Sequence, residues 1–441
     1  MVIWPRVAGF LLAGYLTMGR SFAYLGLPPL FIGELVLGAF LLLKPRVALG
    51  TWSASLMQAS PLNALGLSMF VFVAYGFWQV GRGVLSGFPA IDALKTFTFN
   101  YYTLYLFLGI WVGLRTPDFL PKLVRVIAWV NGIYGVLFLV ALRHVDVFLP
   151  GFGAQDVPLF SPPAGQVVVI LGLLCFERDL RAVWLVLVLN IVITLVWQVR
   201  SEWAGLAVGI LAWGLLTGRL GRVIGMGMAG LAVLGLLALA DIRLPGRNGE
   251  VSLAETLGRV LAPIDLELAK KLSPNAKNHA GTAEWRELWW GGIWRSVHSS
   301  PRLEAFGHGY GFPLSSLAPV KGYKESTRTP HSVFYYALGY TGWVGVVAFG
   351  ALQLVILRLL WRSYRLTGQA AGLAWWVMAM VRFSFEEGLE SPMKAIPFYL
   401  LIGICMAPAL QSAGERIAGA AAARLLPIRE VKTSASPRPA G

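Results

Sequence analysis

Three side chains have the type and placement needed for chemistry at an anionic group. Arg200 stands between two apolar runs in Trp197-Gln198-Val199-Arg200-Ser201-Glu202-Trp203, with almost nothing separating them. Its planar guanidinium matches the oxygens of a phosphate or diphosphate. An arginine at a helix end also serves simply to reach lipid headgroups. Arg286, within Trp285-Arg286-Glu287, would be a second cation for the same diphosphate. It reads equally as part of a solvated helix face, with Glu284 or Glu287 beside it. His331 follows Pro330 and opens an apolar run. A neutral imidazole is the natural general base near pH 7, although a histidine at such a boundary is also an ordinary packed side chain.

Secondary candidates surround these three. Glu202 lies two residues after Arg200, and His308 sits in Gly307-His308-Gly309-Tyr310-Gly311. That run has the glycines of a phosphate-cradling loop without its strand–helix context, and a close backbone approach or a plain turn accounts for it as well. Arg328 precedes Pro330-His331, and Arg382 precedes an acidic cluster of Glu386, Glu387 and Glu390. The cluster reads as neutralising cations such as Arg382, or as part of an acceptor site, ahead of a glycosidase-type carboxylate pair. No spaced His/Asp/Glu set calls for a metal, no serine sits in a nucleophile elbow, and no cofactor is read. Cys175 and Cys405 both lie in apolar runs, so neither a disulfide framework nor a zinc site is indicated.

The elements that position these residues are membrane helices. The chain has 441 residues, 56% hydrophobic and 13% charged, with a mean hydropathy of +0.65. Soluble domains carry about 25% charged residues, so the composition is that of an integral membrane protein. The 17 Trp and 14 Tyr suit the headgroup boundary. A net charge of +15 would point to nucleic acid in a soluble protein. Here it is read as the charge that orients membrane loops, and the partner is the lipid bilayer rather than nucleic acid.

A span takes about 20 apolar residues. The chain offers about twelve, at 5–23, 27–43, 62–80, 92–114, 120–142, 162–177, 182–199, 202–217, 221–241, 332–361, 370–386 and 393–411. Ser21-Phe22-Ala23 resembles a cleavage site, but Arg20 precedes it and only Arg6 leads the run, so the first segment reads as an uncleaved helix. With the N-terminus inside, cytoplasmic connections collect Lys44, Arg115, Lys122, Arg125, Arg178, Arg181, Arg219, Arg222, Arg358, Arg362 and Arg365, while the short outer loops hold Arg20, Arg82, Arg143 and Arg200. The positive-inside rule then places 242–331 outside. The expected organisation is an N-terminal bundle over 1–241, a large outer loop over 242–331, C-terminal helices over 332–411 and a disordered cytoplasmic tail over 412–441. Within the loop, Trp285, Leu288, Trp289 and Ile293 recur at helical spacing. They predict an amphipathic helix near 283–298, lying on the membrane surface or on the bundle and stopped by Pro301.

One ordered set of features resembles a known family. Arg200-Ser201 at a helix end, Trp285-Arg286 in the outer loop, Pro301, the glycines at 307, 309 and 311, Pro330-His331-Ser332, and Gly339-x-x-Gly342-x-x-Gly345 in a helix are together similar to the O-antigen ligase/polymerase superfamily. The likeness extends to the span count and the large loop between the ninth and tenth spans. Its motifs cover about 200–350, and the first half matches in hydropathy alone. Many members carry His-Asn where this chain has His331-Ser332, a difference that bears on the acceptor.

The resemblance implies an all-α membrane glycosyltransferase of the GT-C type in the bacterial inner membrane, acting on the periplasmic face without metal. The donor would be a glycan on undecaprenyl diphosphate. The acceptor would be a sugar hydroxyl of the lipid A–core in a ligase, or another lipid-linked repeat in an O-antigen or exopolysaccharide polymerase. His331 would take the acceptor proton, Arg200 and Arg286 would stabilise the departing diphosphate, and the anomeric centre would invert. A transporter or flippase for a lipid-linked anion is the competing class. It predicts inverted repeats and broken, charged helices at mid-membrane. No repeat is legible, and the ionisable residues gather on one face.

Overall fold

The computed structural model describes residues 3–45, 61–149, 157–177, 179–239, 265–272, 276–318 and 329–425, with short pieces at 244–246, 249–251 and 258. Among these the chain is helical almost throughout. The N-terminal bundle comprises α1 (Ile3–Met18), α2 (Ile32–Leu43), α3 (Pro61–Leu85), α4 (Ala90–Thr96), α5 (Tyr105–Arg115), α6 (Phe119–Val140), α7 (Gln166–Phe176), α8 (Trp184–Trp197), α9 (Arg200–Thr217) and α10 (Leu220–Leu239). The long segment between α10 and the next apolar helix holds α11 (Leu266–Leu272), α12 (Ala276–Val297) and α13 (Pro301–Phe306). The chain then returns through α14 (Val333–Thr367), α15 (Ala371–Phe383) and α16 (Pro392–Leu425). The described strands are three short antiparallel pairs: Gly26–Leu27 with Leu30–Phe31, Phe148–Leu149 with Val157–Pro158, and Leu244–Gly246 with Gly249–Val251.

Among the described residues, six helical stretches are long and apolar enough to cross a membrane: Ala64–Leu85, Ala90–Arg115, Phe119–Val140, Leu180–Trp197, Val333–Thr367 and Pro392–Ser412. Shorter apolar helices lie at Ile32–Leu43, Gln166–Phe176 and Ala371–Phe383. The protein is therefore an all-α membrane-spanning protein. The segment expected at 27–43 begins as a helix only at Ile32, because Pro28-Pro29 cannot continue a hydrogen-bonded helix and residues 26–31 turn as a hairpin instead. The segment expected at 370–386 ends at Phe383, leaving 384–391 as a loop. The last helix runs past 411 to Leu425, and residues 426–441 of the expected tail lie outside the described residues.

Packing follows the logic of a lipid solvent. Large apolar side chains such as Val347 and Leu354 on α14 stay exposed at 66% and 67%, while close helix contacts rest on small residues. A Cβ on Gly109 of α5 would lie 2.4 Å from the Leu400 carbonyl of α16, and one on Gly403 would lie 2.6 Å from the Leu106 carbonyl. The two backbones touch, and no larger residue fits there.

The α12–α13 segment is tied down by a break in α14. Gly342 has φ 62° and ψ −168° inside that helix, and Gly307 has φ 64° and ψ −167° just after α13. Both angles fall in a region essentially restricted to glycine. A Cβ on Gly342 would sit 2.5 Å from the Ala305 backbone, and one on Gly307 would sit 2.5 Å from the Tyr340 backbone. The break frees the carbonyls of Gly339 and Tyr340, which accept the N–H groups of His308 and Gly309, each at 2.9 Å. On the other side Arg82 of α3 donates to the carbonyls of Phe306 and Gly307 at 2.6 and 3.0 Å.

Candidate functional site

Arg200 lies in the first turn of α9. Gln198, with φ 57°, lets the chain reverse sharply out of α8, and extended Val199 caps the new helix. Two residues on, Glu202 is buried, and its Oε1 accepts Arg382 Nη2 at 3.0 Å. Ser201 Oγ donates to Glu386 Oε2 at 2.7 Å. Arg382 Nε donates to Glu386 Oε1 at 3.0 Å, and Lys394 Nζ lies 2.8 Å from the same oxygen. Gly205 makes room for this, because a Cβ there would lie 2.5 Å from Arg382 Cγ. Burial by itself would raise the Glu386 carboxyl, but Arg382 and Lys394 outweigh it and hold the group at about 2. Glu386 is therefore ionised, and Arg382 is the cation that fixes both carboxylates between α9, α15 and the 384–391 loop.

Glu390, at the end of that loop, is different. It is buried, and its Oε2 accepts the Gly388 N–H at 3.0 Å. Burial pushes it up to about 7, with Glu387 adding in the same direction. The acidic cluster is thus divided by environment into one fixed anion and one group that titrates near neutrality.

Arg286 reaches the same loop from α12. Helix α12 is longer than the 283–298 expectation at its N-terminal end, and it lies on the bundle. Trp289, Ile293 and Val297 face inward and are fully buried, with Trp289 Nε1 donating to the Leu314 carbonyl at 2.7 Å. Pro301 does not merely stop it but starts α13, where Ser300 Oγ accepts the Leu303 N–H at 3.3 Å. Arg286 Nη1 donates to the Phe385 carbonyl at 2.8 Å. Burial lowers its basicity and Glu386 opposes that, so the guanidinium stays a cation beside the loop.

One turn further along α12, Trp290 Nε1 donates to the Pro330 carbonyl at 2.7 Å. That bond joins the Arg286 helix to the residue before His331. His331 is half-buried with φ 53°, a left-handed conformation that costs a non-glycine residue about 1 kcal/mol. The backbone is thus held where the surrounding structure dictates, ahead of extended Ser332, which caps α14.

Of the residues singled out from the sequence, the structure gathers Glu202, Arg286 and Arg382 at the 384–391 loop, with Arg200 in the turn that supplies Ser201. His331 is linked to them through Trp290. His308 is elsewhere. Its Nε2 lies 3.0 Å from Ser296 Oγ, and its ring stacks on Phe312 at 4.0 Å. Ser296 is ten residues beyond Arg286 on α12, roughly 15 Å along the axis. Burial, and then Arg82, lower the imidazole to about 4, so it is neutral and structural. The 307–311 run is likewise a close backbone approach, since the amides of 308 and 309 are spent on α14. The Arg328 expectation lies outside the described residues.

Sequence reasoning missed Lys394 and Trp290, and it named Ser201 only as a neighbour of Arg200. Lys394 had a signal: it is a lone cation eight residues after Glu386, at the start of an apolar helix. Arg382 and Lys394 also border an apolar cleft lined by Leu16, Val168, Trp375, Phe398 and Leu401. The arrangement places the cations Arg382 and Lys394 in the lining of an apolar cleft, with the carboxylate of Glu386 bonded to both. Comparison of the chain with known protein families finds no family that matches, and comparison with curated protein sequences finds no match either.

Proposed function

We propose that the protein is a membrane glycosyltransferase that moves a glycan from undecaprenyl diphosphate to a sugar hydroxyl, ligating O-antigen to the lipid A–core on the periplasmic face of the bacterial inner membrane. The observation that carries this reading is convergence. Residues from α9, α12 and the α15–α16 loop, far apart in the chain, meet around Phe385 and Glu386, and α12 grips the segment that bears His331. In this reading all twelve apolar helices span the membrane in a GT-C arrangement, with the 384–391 loop and α12 outside.

Diphosphate is a good leaving group, so the main requirement is to stabilise the charge that develops as the sugar leaves. Arg200 and Arg286 supply it. The bond from the anomeric carbon to the diphosphate oxygen breaks as the acceptor oxygen attacks from the opposite face, which inverts the centre. His331 takes the acceptor's proton. The lipid tail of the donor occupies the apolar cleft beneath Arg382 and Lys394. Needing neither metal nor cofactor, the reaction draws its rate from placement and charge.

The test uses purified full-length protein in detergent with undecaprenyl-diphosphate glycan and acceptor lipid, without ATP. Product should form in EDTA and disappear in His331→Ala. Full activity in both Arg200→Ala and His331→Ala would sink the assignment.

A further inference from the structure

Helix α12 carries a second pattern beyond its inward face. Arg286, Trp290 and Trp294 follow one another at four-residue spacing, a single stripe that advances about 6 Å per step. The first member holds the loop at Phe385, and the second holds Pro330 and stacks on Tyr335, with ring centroids 5.1 Å apart and planes within 10°. The third does neither. Trp294 is 42% exposed, its ring 4.1 Å from the His298 imidazole and edge-on to Trp343 at 6.3 Å. Phe334, next to Tyr335 at the start of α14, is 36% exposed and 6.0 Å from Trp343. His298 brings polar groups to this open aromatic face, its Nε2 lying 3.8 Å from Glu304 Oε1.

We propose that Trp294, with Phe334 and His298, forms a stacking subsite for the second sugar unit of the donor glycan. The inference rests on the glycosyltransferase reading and extends it to substrate length. A pyranose presents a face of C–H groups that pack on an aromatic ring, whose face carries negative charge, while its hydroxyls need polar partners at the rim. The stripe supplies these in order: a cation for the diphosphate at Arg286, the reacting sugar beside Trp290 and His331, and a further sugar at Trp294, roughly 12 Å from Arg286 along the axis. Donors with more than one sugar would gain binding that a single-sugar donor cannot.

The test compares two donors, undecaprenyl diphosphate bearing one hexose and the same lipid bearing a trisaccharide, binding to full-length protein in lipid nanodiscs. Trp294→Ala should weaken the trisaccharide donor about tenfold, the scale of one aromatic stacking contact, and leave the single-hexose donor unchanged. Trp294→Phe should restore most of the loss. An equal effect on both donors, or none, overturns the subsite. So does brominated-lipid quenching of a part of the tryptophan emission that is absent in Trp294→Phe and that the trisaccharide donor fails to relieve, which would mark a headgroup anchor. Length-dependent binding without transfer to any acceptor would leave the subsite standing and remove the transferase reading instead.

Discussion

Trp290 donates its indole N–H to the carbonyl of Pro330 at 2.7 Å, so the helix that carries Arg286 also sets the position of His331. One hydrogen bond between residues 40 positions apart couples the proposed leaving-group ligand to the proposed base. Trp290→Phe keeps an aromatic ring against Tyr335 and removes the bond. It should lower kcat about tenfold or more, because misplacing a reacting group is costly, while KM for the donor changes little. Steady-state kinetics with the donor varied would show this, and an unchanged kcat would refute the coupling.

The two arginines at the loop should behave oppositely. Arg382→Met leaves Glu202 without its buried cation and Glu386 with only Lys394. Breaking such a pair costs about 3–5 kcal/mol, so the detergent-solubilised variant should melt far below the wild type. Arg286→Met loses one hydrogen bond to a carbonyl, worth about 1 kcal/mol, and should melt close to normal while losing at least about a hundredfold in transfer rate. Melting curves and product assays on the same preparations separate the roles.

Gly342 and Gly350 lie on the same helix and make a controlled pair. An alanine at 342 must adopt φ 62° and place its Cβ 2.5 Å from the Ala305 backbone, where neither side can yield. The expected cost is more than about 2 kcal/mol. Gly350 has nothing within 4 Å of a Cβ, and alanine there should be neutral or stabilising by up to about 1 kcal/mol. Thermal stability of the two variants in detergent is the measurement. Equal behaviour would show that the Gly307–Gly342 contact does not anchor the α12–α13 segment.

Stability against pH should contain two opposing slopes. Glu390 is raised from 4.5 to about 7 in the folded protein, so the native state binds more protons than the unfolded chain between those values, and stability falls as pH rises through them. His308 is lowered from 6.5 to about 4. There the unfolded chain binds more protons, and stability rises from about pH 4 to 6.5. Between pH 5 and 6.5 the wild type should therefore be nearly flat. Glu390→Gln should expose the rising slope, and His308→Asn the falling one. Glu386, held at about 2, contributes a loss only as pH drops below about 4.5, outside that window. Melting temperatures at half-unit pH steps would decide it.

The membrane class of the protein and the rough course of its helices follow from the sequence alone. Every apolar segment from 5–23 to 393–411 overlaps a helix among the described residues, though 27–43 opens as a hairpin and 370–386 ends as a loop, because a chain in lipid must satisfy its backbone internally and a run of apolar residues leaves it few alternatives. Arg200 and His331 stand out as candidates for a similar reason: a strong hydrogen-bonding group at the edge of an apolar run contrasts with its neighbours, whereas Arg286 stands among Glu284, Trp285 and Glu287. What the glycines at 307–311 do was not legible, since a phosphate cradle and a backbone clasp use the same residues. Only the tertiary structure decided between them, by bringing the broken turn of α14 to their amides. It also decided the partners. The bonds from Ser201 to Glu386, from Arg382 to Glu202 and from Trp290 to Pro330 span 185, 180 and 40 positions. No local pattern encodes contacts of that separation, because they exist only once the helices pack.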